Sequence, residues 1–488
     1  MSRKQLSWWN KYQKAFNLLV IKKKTAMKTG LVWFKNDLRL HDNEALTKAV
    51  QECDRLIFCY SIEKNNYRKL NLGFIKCDIN RFKFMEQSVL DLQNQLEKLD
   101  GHLLIGSDSA TEFLPKIVKK YGISDIYAEE EYESEELDLI KEIQNILPEV
   151  NFHFYWGKTL YHKDDIPFSI SKIPLSSKAY RIPAGKESEP RKTLKKPTKL
   201  RSVQMVKSSK FPSYKKFGFT KKEYDAAQPL VDGGETKALK RLQYYTFTSE
   251  LLTAYRWTRN HSQGLDYSSK FSPYLALGCI SPREIFEKVK EYEDSVKKNQ
   301  STWWLVFELV WRDFFTFKGM KFGDKIFKTQ GYKNKKIPFK NNKRNFKRWC
   351  DGKTGIPFVD AHMRQLNETG YMSNRGRVNC ASYFVHDLNI DWTWGAAYFE
   401  SKLIDYDVTS NWMNWHMQTF EIYYTNPIHQ SNKYKGQDFI REWIPELKNT
   451  NDIEVLIPWE FDIPDYPKPI EVFSKWERAI NLIKKLKV

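Results

Sequence analysis

From residue 30 to residue 156, short apolar runs alternate with stretches of helical period. Residues 31–34, 55–62, 102–105, 125–128 and 151–155 read as strands. Between the second and third of these, Phe82, Met85, Val89, Leu92, Leu96 and Leu99 recur at spacings of three and four, which lines one face of a helix with apolar side chains. Residues 44–53, 111–121 and 134–147 repeat that period. Parallel strands need a crossover between them, so strands separated by helices in this way predict an α/β domain with a doubly wound, Rossmann-like parallel sheet. Neither G-x-G-x-x-G nor a P-loop follows the first strand, so a ligand of this domain binds by another route.

The pattern breaks after Trp156. Residues 157–233 fill with Pro, Lys and Ser and lose strong periodicity, which predicts a long connector crossing a surface. Its basic stretch 186–201 (KESEPRKTLKKPTKLR) reads first as a solvated linker and second as a contact for backbone phosphates. From residue 234 strand-like runs become scarce and aromatic-rich helical spacing takes over. The expectation is an all-helical domain over 234–447 and a tail over 448–488, behind an α/β domain over 27–156 and a basic extension over 1–26. Phe307, Val310, Trp311, Phe314 and Phe315 recur at helical intervals, so most of that aromatic mass belongs to a core, with Trp311 the candidate exception.

Composition narrows the class. The chain has 488 residues, a formal charge of +20, 41% hydrophobic and 15% aromatic residues, enough to bury a large core and to exclude disorder over most of its length. No apolar run approaches the roughly 20 residues of a membrane helix, and a soluble protein is expected. Cys53, Cys59, Cys77, Cys279, Cys350 and Cys380 form no C-x-x-C pair, which argues against a zinc site and a secreted disulfide framework. The expected location is therefore a reducing one, the cytoplasm. The excess of positive charge points to an anionic partner, nucleic acid first. Residues 1–26 hold Trp8 and Trp9 and no acidic residue. They fit an organelle transit peptide, a membrane-surface or nucleic-acid arm, or a leader upstream of a second start at Met27, and the last is preferred.

Hydrolase equipment is missing: there is no G-x-S-x-G elbow, no P-loop, no metal ligand set, and the nine His are scattered. What stands out is polar residues set between aromatics in the helical half. Tyr255 and Arg259 precede Tyr267-Ser268-Ser269-Lys270-Phe271-Ser272-Pro273, whose hydroxyls, lysine and amides suit a pyrophosphate or an ordinary helix cap. Glu308, Trp311 and Arg312 fall within one helical turn. Ser373-Asn374-Arg375-Gly376-Arg377 and Asp405-Tyr406-Asp407 with Asn411, Trp412 and Trp415 offer either buried Arg–Asp pairing or acceptors for a heterocycle's N–H groups. Side chains alone supply no redox chemistry here without a metal or thiol pair, so the clusters together suggest a pocket for a polar aromatic cofactor, with Trp residues near it to relay electrons.

At these residues the sequence closely resembles the photolyase/cryptochrome family, and among its branches the DASH-type cryptochromes. The resemblance runs from about Thr29 to Leu447. It is carried by VWFKNDLRLHDNEAL from Val32, GKTLYHKDDIPF from Gly157, GGETKALKRL from Gly233, DYSSKFSPYLALGCISPR from Asp266, FELVWRDFF from Phe307, KTGIPFVDAHMRQL from Lys353, TGYMSNRGR from Thr369 and LIDYDVTSN from Leu403.

The resemblance implies an α/β domain joined to a helical domain that holds FAD folded in a U shape. By similarity, Tyr255, Ser268, Ser269, Lys270, Phe271 and Ser272 contact its phosphates and ribose, and Arg312 and Asn374 line the site. Arg377 pairs with Asp405, Asp407 meets the flavin ring, and Asn411 sits near the reactive nitrogen. Glu308 beside Trp311 resembles the carboxylate that contacts lesion bases, and Arg259, Arg375 and Met417 join Trp311 as DNA-facing residues. The activity implied is light-driven repair of cyclobutane pyrimidine dimers, chiefly in single-stranded or ultraviolet-damaged DNA, by a monomer. A damaged base leaves its stack most cheaply in single strands. A folate antenna, 5,10-methenyltetrahydrofolate, is implied between the domains, with Glu131 its candidate contact.

Several positions depart from the family pattern. Trp415 and Trp392 match the proximal and middle members of an electron-transfer tryptophan chain, but Phe339 stands at the distal position, with Trp349 or Trp394 as candidate replacements. Met417 replaces an aromatic residue, Val378 a polar one, and the loop after Met417 is short. A flavin photoreceptor or DNA-binding regulator without efficient repair is therefore the rival expectation.

Overall fold

A computed structural model describes residues 27–203, 206–421, 424–461 and 463–486; the extension 1–26 lies outside the described residues. Strands β1 (Thr29–Phe34), β2 (Arg55–Ser61), β3 (Leu103–Gly106), β4 (Asp125–Glu129) and β5 (Asn151–Tyr155) alternate with helices α1 (Glu44–Glu52), α2 (Ile79–Glu97), α3 (Ala110–Tyr121) and α4 (Ser134–Ile146). All strand pairs are parallel, in the order β3-β2-β1-β4-β5. The chain moves outward one way through β2 and β3, then returns to β1's other edge for β4 and β5. β1, covered on both faces, reads Thr-Gly-Leu-Val-Trp-Phe and is buried throughout, as a central parallel strand requires. The apolar stripe on α2 places Phe82, Val89, Leu92 and Leu96 in the core shared with the helical half. The sequence-predicted strands and helices all form, with ends shifted by a few residues at most.

The sequence left open whether the connector is ordered or loose, and its described residues carry regular elements and specific bonds. It contains α5 (Ser177–Glu187), whose Tyr180 is buried against Phe314 at 5.6 Å between ring centroids. Farther on, Arg201 O accepts from Leu56 N at 2.7 Å and Val203 N donates to Leu56 O at 3.1 Å, so the connector bonds to β2 beside β3. Even the basic stretch is pinned: Glu287 accepts from Thr193 N at 2.8 Å and Asp42 accepts from Leu194 N at 3.0 Å, while Lys192, Lys195, Lys196 and Lys199 stay exposed. Backbone bonds that alternate irregularly leave no period for sequence reasoning to detect.

The remainder is helical: α6 (Glu235–Gln243), α7 (Ser272–Ala276), α8 (Pro282–Ser295), α9 (Gln300–Phe322), α10 (Lys343–Cys350), α11 (Pro357–Thr369), α12 (Asn374–Ser382), α13 (Trp392–Lys402), α14 (Val408–Phe420) and α15 (Glu477–Lys484) are its main elements. No helix among the described residues is long and apolar enough to cross a membrane. The described residues of 448–486 pack against this body, burying Val455, Leu456, Ile457 and Trp476, and Trp476 Nε1 donates to the Tyr424 hydroxyl at 2.5 Å. The segment read as a tail is part of the core.

Buried polar bonds join the two halves. Asp42, after β1, accepts two bonds from Arg283 of α8 at 2.9 and 2.7 Å. Glu235 of α6 accepts from Leu40 N at 2.9 Å, His41 N at 3.1 Å and Gln95 Nε2 at 2.7 Å. Gly278, at φ +61°, touches this junction so closely that a Cβ would lie 2.0 Å from Asn36 O.

Candidate functional site

α12 and α14 enclose a cavity of about 260 Å³ lined by Ser272, Asn374, Arg377, Val378, Asp405, Asp407, Asn411, Trp415 and Met417. Local sequence sets this up. Ser373 caps α12 by accepting from Gly376 N at 3.1 Å, and Asp407 caps α14 by accepting from Ser410 N at 2.8 Å. Asn374, Arg377 and Val378 then share one face of α12, and Asn411 and Trp415 one face of α14.

Inside, Arg377 Nη2 bonds Asp405 Oδ2 at 2.6 Å and its Nε donates to Met372 O at 2.9 Å. Asp405 Oδ1 is buried and has no hydrogen-bond partner among the described residues. A carboxylate oxygen left this way calls for an N–H donor from a bound group, which a flavin ring supplies. Asn411 Nδ2 donates to Ala396 O at 3.0 Å, which fixes the amide and leaves its oxygen to the cavity.

Beside the cavity the loop 265–271 is held by Arg241, which donates to the carbonyls of Leu265 at 2.9 Å, Ser268 at 3.2 Å and Ser269 at 3.1 Å. Arg241 also pairs with Asp266 at 2.9 Å. This turns Lys270 inward at φ +58°, with the residue only 5% exposed. Its Nζ donates to Ser268 Oγ at 2.8 Å, and no carboxylate lies within ion-pair distance of it among the described residues. Burial, followed by the charge of Arg241, pushes the Lys270 ammonium down to about 8. A buried cation lacking an anion is matched by a phosphate. Tyr255 and Phe271 are buried on either side of Tyr245, at 6.3 and 5.9 Å between ring centroids.

A second cavity of about 560 Å³ lies between the two halves. Glu131 lines it, 2.9 Å from Lys35 and 2.7 Å from Lys158. Arg312 opens onto this larger cavity, not the smaller one, and reaches the smaller through Asp407 at 3.2 Å, a residue that lines both. Burial alone would raise the Asp407 carboxyl, but Arg312 and the bonds from Ser410 hold it below the usual carboxylate range.

Outside the smaller cavity, α9 presents Glu308 and Trp311. Arg259 pairs with Glu308 at 2.7 Å and Trp304 Nε1 donates to it at 3.0 Å. Burial still raises the Glu308 carboxyl against the pull of Arg259. Arg375, next in sequence to the cavity residue Asn374, donates to Asn260 at 3.0 Å and lies over Tyr434. Arg181 stacks on Phe307 at 4.1 Å and faces Trp311 at 5.7 Å, while Trp257 is 68% exposed. The result is a rim of arginines and aromatic faces around one carboxylate, suited to stacked bases and phosphates.

Trp415 reaches from the cavity into a buried aromatic cluster. A Cβ on Gly395 would lie 2.2 Å from its ring, so Trp415 packs against α13, which begins with Trp392. Trp392 is fully buried and donates to Thr329 O at 2.8 Å. Trp349 meets Trp415 at 6.1 Å between ring centroids, but has no exposed surface from which to exchange electrons with solvent. Trp394 packs on Phe346 at 5.3 Å.

Sequence reasoning overlooked Arg241, Lys35, Lys158 and Tyr371. All four lay inside the recognised motifs, but nothing local reveals that a guanidinium organises a loop 25 residues onward. Tyr371 sits between Lys270 and Arg377, 5.3 and 5.6 Å from the two cations.

Residues 304–484 match the FAD binding domain of DNA photolyase, and residues 30–193 the DNA photolyase domain. Cryptochrome DASH of Synechocystis is 39% identical, covering 94% of this chain and 98% of its own. Cryptochrome DASH of Xenopus laevis is 38% identical, over 92% and 90%. Among solved structures, a Synechocystis cryptochrome superposes with a TM-score of 0.85 at 38% identity over 94% of this chain and 99% of its own. A bacterial class III photolyase from Agrobacterium tumefaciens does so with 0.80 at 26% identity over 96% and 100%. With the parallel sheet, the helical half, a cavity whose orphaned acceptor fits a flavin and a loop beside it that buries an unpaired lysine, the chain belongs to the photolyase/cryptochrome family, in its DASH-type branch.

Proposed function

We propose that the protein repairs cyclobutane pyrimidine dimers under blue light, chiefly in single-stranded DNA. The observation that carries this reading is the closeness of two surfaces. Asn374 lines the cavity suited to the flavin ring while the adjoining Arg375 belongs to the rim that holds Glu308. FAD, when bound, supplies the light-driven one-electron chemistry that opens the cyclobutane ring and then recovers its electron.

The protein's own groups bind, orient and shield. Lys270, with Ser268 and Ser269, takes the pyrophosphate; Asp405 and Asp407 accept from the ring's polar edge; and Asn411 holds its amide beside the reactive nitrogen. Glu308 meets the extruded bases, Trp311 stacks on them, and Arg259 and Arg375 take phosphates. Trp415 and Trp392 carry electrons to restore the active redox state. Glu131, with Lys35 and Lys158, contacts a folate antenna in the larger cavity.

The rival reading, a photoreceptor or regulator without efficient repair, draws on Met417 and Val378. Both line the smaller cavity with apolar side chains where the resemblance implies an aromatic and a polar one. Illumination of flavin-loaded protein with a dimer-bearing oligonucleotide separates the two: turnover supports repair, and tight binding without turnover supports the regulator.

A further inference from the structure

By resemblance, Phe339 stands where a distal tryptophan is expected, and a phenyl ring is far harder to oxidise than an indole. Trp392 nevertheless reaches a redox-capable side chain, Tyr332, through one intervening ring. The His416 ring meets Trp392 edge-on at 6.0 Å, and Tyr332 stacks on the other side of His416 at 4.0 Å with 17° between planes. Phe322 stacks on the opposite face of Tyr332 at 4.0 Å, so the phenol is clamped between two rings. Gly331 permits the approach: at φ +59°, a Cβ there would lie 2.3 Å from the imidazole.

The phenol has a built proton acceptor. Tyr332 Oη donates to Glu421 Oε1, which also lies 3.4 Å from Lys318 Nζ and 3.4 Å from Lys333 Nζ. Burial works against ionisation of Glu421, but the Tyr332 hydroxyl and the two ammoniums hold its carboxyl below the usual range. His416 is fully buried, both ring nitrogens lack hydrogen-bond partners among the described residues, and burial pushes its imidazole down to about 3. It is therefore a neutral spacer between Trp392 and Tyr332. Lys333 is 37% exposed at its side chain, so this end of the path opens to solvent.

We propose that Tyr332 is the terminal electron donor of this protein, in place of the missing distal tryptophan, with Glu421 as its proton acceptor. The proposal rests on the reading of Trp415 and Trp392 as an electron path. The oxidising equivalent originates in photoexcited oxidised flavin and arrives at Trp392 as an indole radical cation. One electron passes from Tyr332 to Trp392 and restores the neutral indole. The phenolic proton moves from Tyr332 Oη to the Glu421 carboxylate, leaving a neutral tyrosyl radical and a carboxylic acid. Separating charge this far, and moving the proton, delays the return of the electron. A thiol reductant in solution then regenerates the tyrosine at the exposed end.

The test is transient absorption and electron paramagnetic resonance of the illuminated flavoprotein, in wild type, Tyr332→Phe, Glu421→Gln and Trp392→Phe. The Tyr332→Phe variant keeps the ring stack and so preserves the fold. Wild type is expected to form a tyrosyl radical that Tyr332→Phe abolishes, with a several-fold loss in photoreduction yield. Glu421→Gln should slow its formation several-fold and remove its slowing in heavy water. A radical that remains on tryptophan in wild type, or a tyrosyl signal that persists in Tyr332→Phe, overturns the proposal while loss of photoreduction in Trp392→Phe leaves the underlying path intact. Photoreduction unchanged in Trp392→Phe overturns the path and the proposal together.

Discussion

At Lys270 the proposed pyrophosphate contact makes a short chain of causes, starting from one backbone angle, open to test. The Arg241 fork holds the loop so that Lys270 sits at φ +58° and loses its solvent, and its ammonium is pushed down to about 8. Binding a pyrophosphate restores a counter-charge and raises that value, so binding takes up a proton above the free-state value and none below it. FAD affinity should hold steady below about pH 8 and weaken as pH rises above it, whereas Lys270→Gln should bind more weakly at neutral pH with a flat profile; titration of apoprotein with FAD measures both. At Asp405 the orphaned Oδ1 makes a complementary prediction. Asp405→Asn removes the charge partner of Arg377 and should weaken FAD binding by about 1–3 kcal/mol, read from the same titration.

Two faces of α9 do different work at the scale of the element. Glu308 and Trp311 look outward, while Asp313 is fully buried and accepts from Leu160 N at 2.9 Å and Tyr161 N at 2.9 Å, fixing the start of the connector. Asp313→Ala leaves two buried N–H groups without acceptors and should lower stability by about 2–4 kcal/mol, measured as a shift in the urea unfolding midpoint. Much of the element structure was legible beforehand because the sheet half obeys simple periods: the α2 stripe from Phe82 to Leu96 and the five apolar runs could hardly be read otherwise. The connector could not be read that way, since its order comes from single long-range bonds such as Leu194 N to Asp42 and Arg201 O to Leu56 N. The cavity residues of α12 and α14 were legible through resemblance and helical spacing. Which cavity Arg312 faces was not, because that depends on how α9 rotates against Asp407.

For the whole molecule, the larger cavity keeps its geometry only if the two halves that line it stay docked. Asp42 and Arg283 form a nearly solvent-free pair across that junction, with side chains 0% and 6% exposed. Removing one partner strands the other charge, so Arg283→Ala should cost about 3–5 kcal/mol and split thermal unfolding, followed by circular dichroism, into separate transitions for the two halves. The most direct test of repair itself uses purified, flavin-loaded protein and a single-stranded oligonucleotide carrying one thymine dimer. Under blue light the dimer should disappear, in darkness it should persist, and a Glu308→Ala, Trp311→Ala double variant that still binds FAD should leave it intact. Survival of the dimer under light with chemically reduced flavin and bound oligonucleotide would contradict the account.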